Sequence, residues 1–194
     1  MIRRISLVLA AAGLAITAVA SPASAQTKRF EDRRGDADEA IDITRVKVKN
    51  AKGAIRVKVV IPQFRRSGTA AAAVTVKRLR KPRTRVAVSR FHLAGFGWSR
   101  GELLNERTGE PIRCKGDRVR FTDRGFAIRI PQRCLPGKPG RIRAAAYTIT
   151  RDAFSFDSDE DDLVLSGPDA DIDVFPQQSL ERVRPKLSPA VRYR

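Results

Sequence analysis

Four groups of side chains in this 194-residue chain have types and spacings that could bind or react. Arg78, Arg80, Lys81, Arg83 and Arg85 crowd around Pro82 as the densest basic cluster. So many cations in one loop could grip an anion, whereas the plainer reading is a solvated corner between strands. Phe96 and Trp98, the latter the only tryptophan, stand beside Gly95 and Gly97 and could present two rings for stacking on a sugar. Aromatic residues make up only 6 % of the chain, and a sandwich core needs them, so burial of both rings is the expectation.

The third group is acidic. Asp157, Asp159 and Asp161 have the spacing that begins a calcium loop. Asp162 stands where that loop requires glycine and Pro168 where it requires the closing glutamate, which excludes an EF-hand. A looser calcium site, with Asp32 or Asp36 as distant partners, is the alternative to a solvated acidic loop. Calcium is the only cofactor these residues point to. Asp169, Asp171 and Asp173 alternate with Ala170, Ile172 and Val174 and are expected on the wet side of a strand.

Cys114 and Cys134 are the only cysteines, and they flank two alternating segments, Arg118 to Phe121 and Phe126 to Ile130, around the turn residues 122–125. This reads as a β-hairpin closed by a disulfide. Pairing Val119 with Ile128 and Phe121 with Phe126 keeps the apolar residues on one face, but it sets Cys114 opposite Arg133. A bulge at Gly116 or Pro131 is therefore expected. Closing a loop of this size stabilises by about 3 kcal/mol on the chain-entropy argument.

Other chemistry is missing. His92 is the only histidine, no serine lies in a G-x-S-x-G context, and no glycine-rich phosphate loop appears. Glu102 and Glu106 are a carboxylate pair without a cleft to define them. Arg34-Gly35-Asp36 spells an adhesion tripeptide too short to carry weight. The chain is not expected to be an enzyme.

The N-terminus has the three parts of a secretory signal: Arg3 and Arg4, an apolar run from Ile5 to Val19, and Ala23-Ser24-Ala25 as a small-residue cleavage site. The run meets Ser21 and Pro22 before it could span a bilayer. Residues 1–25 are expected to be removed after Ala25, leaving a secreted protein in an oxidising compartment, where two lone cysteines form a disulfide. Charge in the remainder is uneven. Residues 45–151 hold 28 Lys and Arg against 5 Asp and Glu, a net of +23, between acidic flanks of −2 and −5. Arginine outnumbers lysine 29 to 10, a bias that GC-rich codon usage explains as readily as a need for bidentate anion contacts.

These groups need strands to position them. Residues 26–40 read as an acidic lead-in loop. Residues 42–49 and 54–61 alternate apolar and basic residues around Asn50 to Gly53, the clearest hairpin in the chain, with its Lys and Arg on the outward, solvated face. Thr69 to Leu79 is a strand despite its run of alanines, because Val74-Thr75-Val76 continues it. Val86 to His92 and Arg141 to Ile149 are strands, Glu102 to Pro111 a connection, and the basic tail over 176–194 a loose one. The expected fold is a single all-β, antiparallel β-sandwich over 41–175, immunoglobulin-like or jelly-roll, with one disulfide.

With the exported start, the Asp42 to Asn50 opening strand after an Asp-rich loop, and the Pro131-Gln132-Arg133-Cys134-Leu135 close of the hairpin, the chain resembles the uncharacterised small secreted β-sandwich proteins of high-GC Gram-positive bacteria. The resemblance spans about residues 30–149 and implies a sandwich, without a function or site residues. The basic body makes an anionic cell-wall polymer or membrane surface the expected partner. A carbohydrate-binding module using Phe96 and Trp98, or a purely structural extracellular protein, is the alternative. Nucleic acid ranks below both, because the basic strands lack interleaved aromatics.

Overall fold

Alternating side chains build the first sheet of the computed structural model, which describes residues 26–93, 95–151, 153–157, 162–165, 172–176 and 186–193. Residues 1–25, read above as a signal segment, lie outside the described residues. Strands β2 (Arg45–Asn50) and β3 (Ala54–Val60) pair antiparallel from Arg45↔Val60 to Asn50↔Ile55. Val46, Val48, Ile55, Val57 and Val59 point inward and are buried, while the lysines and arginines point out.

The second hairpin joins β8 (Arg118–Thr122) to β9 (Gly125–Pro131) in the expected register, Val119 opposite Ile128 and Phe121 opposite Phe126. Gly125, at φ 108°, leaves no room for a side chain, since an added Cβ would lie 2.5 Å from the Val59 carbonyl oxygen. One edge of the sheet is β1 (Gln26–Glu31), giving the order β1-β2-β3-β9-β8. The lead-in loop is therefore shorter than expected. Gln26–Glu31 pairs with the whole of β2, and Phe30 packs against Phe175 at 5.8 Å, which anchors a segment whose acidic composition suggested a loop.

The second sheet runs β13 (Ile172–Phe175), β10 (Ile142–Thr150), β4 (Thr69–Arg78), β5 (Arg85–Leu93), β6 (Gly97–Trp98). A short strand β7 (Glu102–Asn105) also pairs with β5, inside what reads from sequence as a plain connection. The alanine run forms a strand because β4 is central: Ala70 to Ala73 are all buried between β10 and β5. Ala72 faces the main core, and Ala71 meets Ile149 and Ala153 on the other side of the sheet. A separate hairpin pairs β11 (Phe154–Asp157) with β12 (Asp162–Leu165).

The two sheets pack face to face. Val48, Val57, Phe126 and Ile128 of the first share one core with Val74, Val76, Val88 and Ala144 of the second. Full burial of each Val, Ile or Phe contributes about 1.5–3 kcal/mol. The all-β antiparallel sandwich read from the sequence is the fold, with one short 3-10 turn, Gln132–Cys134, among the described residues.

Two local expectations change. Cys114 and Cys134 are bonded with their Cα atoms 5.6 Å apart, but the one-residue mismatch is not absorbed by a bulge. Pairing of β8 stops at Arg118↔Arg129, Gly116 turns the chain at φ 96°, and the 3-10 turn after Pro131 brings Cys134 around. The C-terminal segment, expected to be loose, is docked over its described residues 186–193. Val191 exchanges backbone hydrogen bonds with Ile142, and Ser188 donates through its N–H to Ala144 and accepts from it at Oγ. The edge of β10 left open beside β13 supplies those partners.

Replacing both cysteines, Cys114→Ser with Cys134→Ser, should lower the unfolding free energy by about 3 kcal/mol, read as a lower urea midpoint with a slope as steep or steeper, since the uncrosslinked unfolded chain exposes more surface. A loss below about 1 kcal/mol would mean that strand pairing alone holds the hairpin shut.

Candidate functional site

The basic cluster around Pro82 splits on folding. Arg78 lies at the end of β4 with 1 % of its surface exposed. Its Nη1 donates to the carbonyls of Leu135 (3.1 Å), Pro136 (2.7 Å) and Gly137 (2.9 Å), and its Nη2 donates to Gln132 Oε1 (2.9 Å). Burial pulls its pKa down, yet a guanidinium keeps its proton under any ordinary condition. Arg78 is thus an internal fastener and cannot reach an anion. Arg85 pairs with Glu106 at 2.5 Å, which also removes Glu106 from any acid/base pair with Glu102. Arg80, Lys81 and Arg83 are left exposed in the β4–β5 turn.

A larger cationic surface lies elsewhere. Strand registers place Lys49, Arg56, Arg129 and Arg118 side by side in one row across the outer face of the first sheet. Arg29, Lys47, Lys58 and Arg120 form the next row, interrupted only by Ala127. Neighbours in a row are about 4.8 Å apart and the rows about 7 Å apart. Neither row contains an acidic residue. Glu31, in the row beyond, is already paired with Arg45 at 2.8 Å. The middle of the face is a shallow trough of about 310 Å³ lined by Lys47, Lys49, Arg56, Lys58, Arg118 and Arg120. Arg129 is partly committed, donating through Nη1 to the Gly116 carbonyl.

The period-two spacing of these cations is visible in the sequence. Their convergence is not, because it depends on β3 pairing with β9, some seventy residues away.

Phe96 and Trp98 do not form one platform, and they are not both buried. Gly95 and Gly97, at φ 76° and 74°, turn the chain between β5 and β6 and hold Phe96 out at the tip, 89 % exposed. Trp98 is half-buried. It packs against Phe121 (centroids 4.5 Å) and edge-on against His92 (5.7 Å), with the Arg66 and Arg90 guanidiniums 5.8 and 5.9 Å from its ring centre. Such pairs contribute about 0.5–1.5 kcal/mol each to structure. His92 serves packing here.

Of the acidic calcium candidates, Asp157 ends strand β11, while Asp159 and Asp161 lie outside the described residues. Asp169 and Asp171 lie outside them too. Asp173 reverses its expected side: it points inward with Phe175, 4 % exposed, and its Oδ2 accepts the Ile43 N–H. Burial foremost, then the charges of Asp36, Asp32 and Asp42, push its pKa up to about 7. Asp32 is raised to about 6, again chiefly by burial, with Asp36 and Asp42 adding repulsion and the Arg33 N–H opposing.

What this geometry defines is a class: an antiparallel β-sandwich, closed by one disulfide, with one cationic sheet face. A scan of protein-family models and searches of curated proteins and solved structures returned no match to the chain.

Arg78→Met should cost about 3 kcal/mol, because four acceptors, two of them buried, lose their donors at once. Denaturant titration reads the loss, and a cost below about 1 kcal/mol would mean that water or another side chain takes over those acceptors. The raised carboxyls have an opposite sign of pH dependence from ordinary salt-bridged ones. Each binds its proton more tightly folded than unfolded, so their contribution is whole below the ordinary value of 3.8 and is lost as pH rises through about 6 and about 7. In chelator-treated protein the melting temperature should fall between pH 5 and pH 8, and Asp173→Asn should flatten that fall. Parallel curves for the two proteins would remove Asp173 as the cause.

Proposed function

We propose that this chain is a secreted, non-enzymatic β-sandwich that holds anionic polymers or lipid head groups of the cell envelope on the outer face of its five-stranded sheet. The observation that carries this reading is the double row of eight Lys and Arg without an acidic residue among them. Like charges directly opposite one another on a sheet weaken it, and outward positions have no packing need for cations. A flat cationic grid is what a polyanion would compensate, through many weak contacts that release counterions.

Export rests on the N-terminal signal pattern. The disulfide is compatible with an extracellular location, and no helix among the described residues is long and apolar enough to cross a membrane. The sugar-binding alternative is weakened by Trp98, whose ring is already occupied by Phe121 and two arginines.

The test is co-sedimentation of the mature protein with washed cell envelopes from low to high salt. Binding should vanish by about 0.5 M salt, where charges are screened within a few ångströms. The triple substitution Lys47→Glu, Lys58→Glu, Arg120→Glu should weaken it about a hundredfold or more at low salt, at about 1 kcal/mol, or roughly fivefold, per lost cation. Reversal of Arg80 and Arg83 in the β4–β5 turn should cost much less. Absence of binding at any salt, or full binding by the triple variant, would remove the sheet face from this role. Salt-independent binding would point to sugar stacking instead.

A further inference from the structure

Four carboxylates converge where the loop between β1 and β2 passes the end of β13. Asp36, Asp42 and Asp173 each bring an oxygen within 4.8 Å of the others, and Asp32 adds a fourth charge that bears on Asp173. Two of these residues belong to one curl of loop, closed by the Gly35 N–H donating to Asp42 Oδ2 at 2.9 Å. Asp173 reaches in from the opposite sheet.

The surroundings leave this charge unanswered. Among the described residues no Lys, Arg or His forms an ion pair with any of the four, in a chain that carries 39 Lys and Arg. Asp32 Oδ2, Asp36 Oδ1 and Asp42 Oδ1 are out of contact with solvent and accept no hydrogen bond. Asp173, 4 % exposed, has one oxygen on the Ile43 N–H and no described donor to the other. Unpaired carboxylates are costly to bury, and four together more so, unless a cation joins them. All the donors are hard oxygens, with no histidine or cysteine near, which suits neither zinc nor a soft metal. Magnesium demands a tight octahedron and keeps its water. Calcium accepts six to eight oxygens in loose geometry from a loop such as this one.

We propose that Asp36, Asp42 and Asp173, with Asp32 beside them, form a calcium site that pins the β1–β2 loop of one sheet to β13 of the other. Its likeness to an EF-hand is nil, since the ligands come from two distant segments. The proposal is independent of the cationic face and survives its failure.

The test is thermal melting of the mature chain in chelator, then in about 5 mM calcium or magnesium chloride, above the weak affinities of extracellular calcium sites. Calcium should raise the melting temperature by about 5–10 °C, with magnesium giving less than half of that. Isothermal titration with calcium should show one site per chain. Asp36→Asn with Asp42→Asn should abolish both signals, while melting in chelator at or above the wild-type temperature because repulsion has been relieved. Should that pair fail to fold, Asp36→Asn alone must still reduce calcium affinity at least about tenfold. Absence of any calcium response, or a response unchanged by these substitutions, would overturn the site. The unchanged response would move the ion to other carboxylates, such as those over 157–162.

Discussion

The guanidinium of Arg78, enclosed between the sheets, sets the terms for much of this fold. A cation in that position would cost several kcal/mol if left unpaired. Three successive carbonyls after Cys134 and the side chain of Gln132 prevent that. Gln132 in turn donates to Asn50 Oδ1 at 2.8 Å and to the Ala51 carbonyl, and the fully buried Asn50 donates to the carbonyls of Gly140 and Val191. One chain of hydrogen bonds thus connects β4, the turn after β9, the end of β2, the approach to β10 and the C-terminal segment. Apolar packing tolerates small shifts between sheets, whereas a hydrogen-bond network holds its partners at set distances and angles. The disulfide adds to the same end, because Cys134 holds in place the backbone whose carbonyls Arg78 uses.

With the sandwich fixed from inside, its outer face can carry charges that work against pairing. A like-charged cross-strand pair costs about 0.2–1 kcal/mol, whereas each inward Val, Ile or Phe contributes about 1.5–3 kcal/mol. The inner face wins easily, so two rows of cations are tolerable. The opposite imbalance occurs at the Asp32, Asp36, Asp42 and Asp173 cluster, where one buried and three half-buried carboxylates meet no compensating cation among the described residues. The protein therefore keeps its two charge excesses apart, the positive one spread on a wet surface and the negative one folded into a seam.

Strand alternation made the hairpins at 42–61 and 118–130 legible, and for the second its register, since a one-residue slip would expose a whole apolar row. The sandwich and the disulfide follow from the same pattern. Properties set by long-range partners were not legible. Arg78 looks like its exposed neighbours Arg80 and Arg83, because nothing local shows that carbonyls 57 to 59 residues later will surround it. Asp173 alternates correctly, but Phe175 outweighs Ile172 and takes the inner side, carrying the aspartate with it. The cationic residues at 47, 49, 56, 58, 118 and 120 have the right period, yet period alone describes a solvated face equally well until the sheet order is known.

The separation between Arg78 and its acceptors has a consequence for synthesis. A ribosome releases β4 and β5 long before the residues over 132–137 exist. Until they arrive, β4 ends in a cation that prefers water to the forming core. The Arg78 network, and with it full closure of this end of the sandwich, must therefore wait for the region around Cys134.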